Sequence, residues 1–155
     1  MKTKLGTTLG VALLGLTMPL LALAANETAS GSGHITAGGE LRTFAFVANK
    51  DSAGNTLGEL QLHNRALDAK VHADINCLSV AGNVAIMSGT VQAATNFPVG
   101  TPVWVKVADN GEGGNAPADQ ITLMLLFPAG PGIPCSQDIP QLPLQDIELG
   151  NVQVH

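Results

Sequence analysis

The chain has no tyrosine, one tryptophan and four phenylalanines, so aromatic residues are 3% of its 155 positions. That scarcity argues against a carbohydrate platform of stacked rings. It also argues against the aromatic girdles of an outer-membrane barrel. Basic residues are few as well, seven Lys and Arg against twelve Asp and Glu. Nucleic-acid phosphates and anionic membrane surfaces both demand Lys and Arg, so neither is a fitting partner. No G-x-S-x-G nucleophile elbow is present, and the carboxylates occur as scattered singles, which leaves catalysis without a constellation to carry it. The apolar run from Leu9 to Leu23 is shorter than a span of roughly 20 residues. Gly10, Gly15 and Pro19 interrupt it, and no later segment approaches that length.

What is present at the amino terminus is an export signal. Lys2 and Lys4 precede the apolar run, and Ala22-Leu23-Ala24 closes it with a small-x-small pattern. These are the three parts of a cleavable signal peptide. Residues 1–24 read as that leader, Ala25 as the first mature residue, and the destination as secreted, extracellular or periplasmic. Cleavage removes two lysines and no acid. The formal charge then moves from −5 to −7, five basic residues against twelve acidic ones. The remaining length, about 130 residues, suits one core. The chain has two cysteines, Cys77 and Cys135, and an oxidising compartment favours their pairing. A loop of that length is worth about 4 kcal/mol by chain entropy.

Residues 25–33, ANETASGSG, read as a flexible lead-in to a single β domain over 34–155. From Leu41 the chain runs in period-two segments bounded by Gly, Asn, Asp and Pro. The predicted strands are 41–50, 57–64, 69–80, 84–93, 103–108, 121–127 and 147–154. In the third of these, Val71, Ala73, Ile75 and Cys77 fall on one side, and Lys70, His72, Asp74 and Asn76 on the other. Residues 128–146 carry Pro128, Pro131, Pro134, Pro140 and Pro143 and read as an extended surface loop that a Cys77–Cys135 bridge would pin down. The fold class is all-β: an antiparallel meander of about eight strands, a small barrel or a sandwich, with one disulfide.

The stretches GSGHI (31–35), GGELRTFAFVAN (38–49), DNGEGG (109–114) and LGNVQVH (149–155) resemble the post-COAP-type β domain of exported bacterial proteins. The resemblance covers about residues 31–155. It implies an extracellular β domain often carried beside other modules. The family supplies no settled activity, so no site residue follows from it.

Several residue groups are candidates for chemistry. Asp109, Asn110, Glu112 and Asp119 lie on a glycine-rich loop between two strands, and calcium takes six to eight such oxygens. The bland reading of that loop is a hairpin turn using glycine for positive φ. No cofactor is fixed by the sequence; calcium is the candidate this loop puts forward. His63 and His72 fall on one face of adjacent strands, opposite or diagonal to one another. With Asp74, and Glu59 nearby, they could hold zinc or copper, or form a plain solvated face. Trp104 alternates with Val103 and Val105, so it packs either outside the main core or under a second layer. The leading function is a secreted non-catalytic module for adhesion, matrix or partner binding. The alternatives are a small-ligand or metal-binding barrel and a protease inhibitor presenting the Pro-rich loop. The partner would be a protein or a surface polymer.

Overall fold

The computed structural model describes residues 26–155, so the expected signal peptide lies outside them. The described residues contain no helix. They form ten antiparallel strands: β1 (Glu27–Ala37), β2 (Glu40–Lys50), β3 (Thr56–Asn64), β4 (Ala69–Ala81), β5 (Val84–Ala94), β6 (Pro102–Ala108), β7 (Gln120–Ile121), β8 (Leu125–Leu126), β9 (Gln145–Asp146) and β10 (Leu149–Val154). All belong to one sheet, in the order β10-β1-β2-β3-β4-β5-β6-β7-β9, with β8 also on β6. The fold is therefore a single curled half-barrel sheet and not two packed layers. β7 and β8 are one pass along β6, broken by a one-residue slip, and β9 and β10 are likewise one pass. Ten strands less these two merges give eight passes of the chain.

The period-two pattern explains the core. Ile35, Phe44, Phe46, Leu60, Ile75, Met87, Val91, Val103, Val105, Val107, Ile121, Val152 and Val154 all point to the concave side and form one cluster. Phe44 and Phe46, two apart on β2, bring their rings to 6.2 Å.

The expected lead-in is corrected. Residues 27–33 belong to β1, which pairs with β2 on one edge and with β10 on the other. The small residues there serve close packing. A Cβ on Gly31 would lie 2.8 Å from the Asn151 carbonyl oxygen and 2.9 Å from the Phe46 ring, and one on Gly33 would meet the Ile147 side chain at 2.9 Å. A glycine needed for close approach and a glycine used for flexibility look the same in a sequence.

The sheet's first and last members, β10 and β9, lie two residues apart, so residues 145–154 draw its ends together. Thr28 and His155 exchange both backbone bonds, which fixes the parity of the β1–β10 ladder. The N–H groups of Val152 and Val154 accordingly point away from β1. Val152 donates to Asp119 Oδ2 at 2.7 Å, and Val154 donates to Asp109 Oδ2 at 3.1 Å. The other carboxylate oxygens take Asn110 N–H and Gly111 N–H, at 2.8 and 2.9 Å.

A second correction concerns Cys77. It was expected on the core face, in phase with Ile75. The register pairs Ile75 with Gly89 and Cys77 with Ser88, so Asn76 is an extra residue, a β-bulge. The bulge shifts the phase, Leu78 becomes the core residue, and Cys77 turns to the convex side. There it is bonded to Cys135. Ser88 pairs in turn with Trp104, which lies on the same outer row. The Pro-rich segment crosses this row as a strap. Trp104 is 0% exposed beneath it and donates from Nε1 to the Gln137 carbonyl at 3.2 Å. Lys106 Nζ donates to Asp138 Oδ1 at 2.7 Å. Trp104 thus lies outside the main core, under a second layer, and the last two residues of the expected loop, 145–146, are β9.

Two expected outcomes follow for the strap. The disulfide closes a loop with a sequence separation of 58. Its loss by Cys135→Ser should lower stability in urea by about 2–4 kcal/mol. It should also move the emission of Trp104, the single tryptophan, to the red. An unchanged midpoint and spectrum would mean that the bridge does not hold the strap.

The second outcome depends on pH. The hydrogen bond from Lys106 holds the Asp138 carboxyl below its ordinary range, with a further contribution from Ile139 N–H. Its folded value lies below its unfolded one, so its stabilisation is present above about pH 3.9 and is lost as pH falls through the lowered folded value. A red shift of Trp104 emission in that acid window should therefore be weaker in Asp138→Asn.

Candidate functional site

The strap covers the convex side along β6 and is bonded to Cys77 of β4. Away from the Cys77–Ser88–Trp104 row the convex side of β2 to β5 is open, and each of these strands is paired along both edges. The register arranges its side chains in rows. Thr43, His63 and Lys70 make one row, and Ala45, Gln61, His72 and Ala93 the next. Val47, Glu59, Asp74 and Thr90 make a third, with Leu57 beyond it. Successive rows are about 7 Å apart, two strand rises.

Two shallow grooves lie along this surface. One, of about 650 Å³, is lined by Thr43, Gln61, His63, Lys70, His72 and Thr95 among others. The other, of about 550 Å³, is lined by Val47, Leu57, Glu59, Asp74, Asn76 and Thr90 among others. The concave side is filled by the core. The void there, beside Ile35, Phe44, Leu60 and Val105, is about 10 Å³, room for one water.

His63 and His72 are diagonal neighbours on this face, as the short 65–68 turn implies. Asp68 ends that turn with φ 46° and brings its Oδ1 to 2.9 Å from His63 Nε2. That hydrogen bond, followed by the charge of Lys70, holds the Asp68 carboxyl below its ordinary range. His72 Nε2 is shielded from solvent without a hydrogen-bond partner, and Glu59 Oε2 stands 3.7 Å away. Asp74 lies opposite Glu59. Among the described residues no three His, Cys, Asp or Glu side chains converge in a way that could hold a metal ion. His63, His72 and Asp74 therefore share a face without sharing a point.

The 109–119 loop is placed at the seam. Both oxygens of Asp109 and both of Asp119 face backbone N–H groups, and Glu112 Oε1 accepts from Asn151 Nδ2 at 2.9 Å. Asn110 donates from Nδ2 to the Ala118 carbonyl. The four candidate calcium ligands thus each have a hydrogen-bond partner within the chain. Gly111 and Gly113 take positive φ, as the hairpin reading requires. The bonds to β10 span 33 and 45 residues, so no local pattern announces them.

No protein-family model, no curated protein and no solved structure matches the chain. The resemblance to the post-COAP-type domain accordingly brings no site to this surface.

Asp119 is 7% exposed and receives two backbone donors through its side chain. Asp119→Ala should cost about 2–4 kcal/mol in urea denaturation, because both donors lose their acceptor where water is scarce. Asp119→Asn, which keeps one acceptor oxygen, should cost less. An alanine variant as stable as the parent would show that the seam contributes nothing.

Proposed function

We propose that this chain is a secreted, non-catalytic β module that binds a partner protein or a surface polymer, in adhesion or in an extracellular matrix. The observation that carries the reading is the division of the sheet's two faces. Side chains fill the concave face, a pinned strap covers part of the convex one, and the grooved β2–β5 surface is left open. Export is supported by the leader and by a disulfide of the kind that persists in oxidising compartments. No helix among the described residues is long and apolar enough to cross a membrane. The outward Lys70, His72, Glu59 and Asp74 are unlike the apolar band of a lipid-facing barrel. An inhibitor would need a protruding loop, whereas Cys135 is buried and Gln137 and Asp138 are tied to Trp104 and Lys106.

A small-ligand reading has one observation in its favour. The groove beside His63 and His72 has a volume within the range of small-molecule sites. Its walls are exposed strand side chains and not an enclosing cavity, which suits a chain-like partner better.

Labelled mature protein applied to the surface of the producing cells, and to polymer isolated from it, tests the reading. Ala45 and Gln61 are exposed at the centre of the open face. Ala45→Arg and Gln61→Arg should each weaken binding by on the order of tenfold. Ser136→Arg, on the exposed strap, should leave it unchanged. Equal binding by all of these proteins would overturn the reading.

A further inference from the structure

The groove at the Leu57 end carries chemistry that a generic binding surface does not require. Leu57 lies near the start of β3 and points outward, 79% exposed, and Val47 of β2 is 45% exposed. Leu57 pairs with Asn49 and Val47 with Glu59, so the two aliphatic side chains are diagonal neighbours on the convex side. Polar residues fill most of that face, and this apolar pair, Leu57 above all, is left exposed among them.

Beside it stand two acids in direct opposition. Glu59 pairs with Asp74 across β3 and β4. Directly opposed residues place their Cβ atoms about 5 Å apart, and like charges there repel. Among the described residues no Lys or Arg nitrogen comes within 4.0 Å of either carboxylate, and the one nearby basic group is His72, 3.7 Å from Glu59. Glu27 on β1 and Glu40 on β2, by contrast, each have a Lys or Arg partner. The opposed pair thus stands without a Lys or Arg partner in an open groove walled in part by Val47 and Leu57.

We infer that this groove docks an extended segment of a partner protein that presents a lysine or arginine next to an aliphatic residue. The inference rests on the binding-face reading above and names the partner's chemistry. Charge complementarity selects a cation. The aliphatic pair selects a cation carried beside apolar side chains, which a bare metal ion is not. Neutral and anionic polysaccharides satisfy neither element. Leu57 and Glu59 are two residues apart on one strand, about 7 Å, and an extended peptide repeats its side chains at that same interval. One residue of such a segment can cover Leu57 and Val47 while the next on its face enters between Glu59 and Asp74.

Two synthetic pentapeptides, acetyl-LKLKL-amide and acetyl-LELEL-amide, serve as probes against isotope-labelled mature protein, with backbone amide shifts as the readout. The lysine peptide should shift Val47, Leu57, Glu59, Asp74 and Thr90 saturably. Its affinity should fall by on the order of tenfold in the Glu59→Gln/Asp74→Asn double variant and severalfold in Leu57→Ser. The double variant should melt no lower than the parent, because it relieves a repulsion; a lower melting point would show that the acids are a structural element and overturn the inference. Shifts spread evenly over Asp51, Asp109 and Asp146 would reduce the effect to net charge and overturn it as well. Equal binding of the glutamate peptide in the groove would overturn the cationic partner and leave the binding face standing. Silence from both peptides, with surface binding still lost in Ala45→Arg, would again overturn this inference alone.

Discussion

Backbone donors at the last strand set the condition that the rest of the molecule meets. β10 uses one edge on β1, and its buried residues Val152 and Val154 have outward N–H groups that need acceptors no neighbouring strand brings to them. A buried donor without an acceptor costs about 1–3 kcal/mol. The residues involved cannot turn outward, because Val152 and Val154 also supply side chains to the core. Carboxylates from a loop solve this where a strand does not, since a side chain can reach across a gap that a ladder cannot span. Asp119 does it twice over. Its side chain takes Val152 N–H and Asn110 N–H, and its own carbonyl takes Ile147 N–H. That joint ties the last strand and the residues before it to the loop that follows β6.

A single inserted residue divides the convex side. Were Asn76 a regular ladder position and not a bulge, Cys77 would stay in phase with Ile75 and face the core, away from the convex side where Cys135 lies. With the bulge, Cys77, Ser88 and Trp104 form an outward row across β4, β5 and β6. The strap then has a covalent anchor at Cys135 and a flat indole to lie on. Gly132 lets it settle onto Pro102, where any Cβ would come within 2.5 Å of the Pro102 side chain. The prolines that keep this segment out of the sheet also limit its conformational freedom before it docks. Covering one row leaves the neighbouring strands, β2 to β4, as exposed sheet.

Much of this was legible in the residues, for reasons that also explain what was not. The strands from Leu41 to Ala108 are visible because burial on one side imposes a period of two, and short turns such as 65–68 fix register between neighbours. The diagonal placement of His63 and His72 follows from that alone. Whether the two rings converge on a metal does not, because Asp68, at the end of the same turn, engages His63 first. The phase of Cys77 was lost because a bulge adds one residue without any composition of its own. The first strand was missed because glycine at 31 and 33 fits close backbone approach and chain flexibility equally well. The seam was invisible since its bonds join residues 33 and 45 positions apart, a separation over which no periodicity operates.

The open face has a further physical property that bears on its use. Each of β2 to β5 is hydrogen-bonded on both sides, so the spacing of the rows is set by the backbone ladder and not by side-chain rotamers. A partner docking there need not order a loop, and the entropy that association would otherwise cost is correspondingly smaller. The side chains bordering the grooves are mostly short, Thr43, Ala45, Thr90 and Ala93, which leaves depth between the longer ones. Affinity on such a surface has to come from a few positions that gain something specific on contact. Leu57 gains burial, and the opposed Glu59 and Asp74 gain relief of repulsion, which makes that end of the face the place where binding free energy should concentrate.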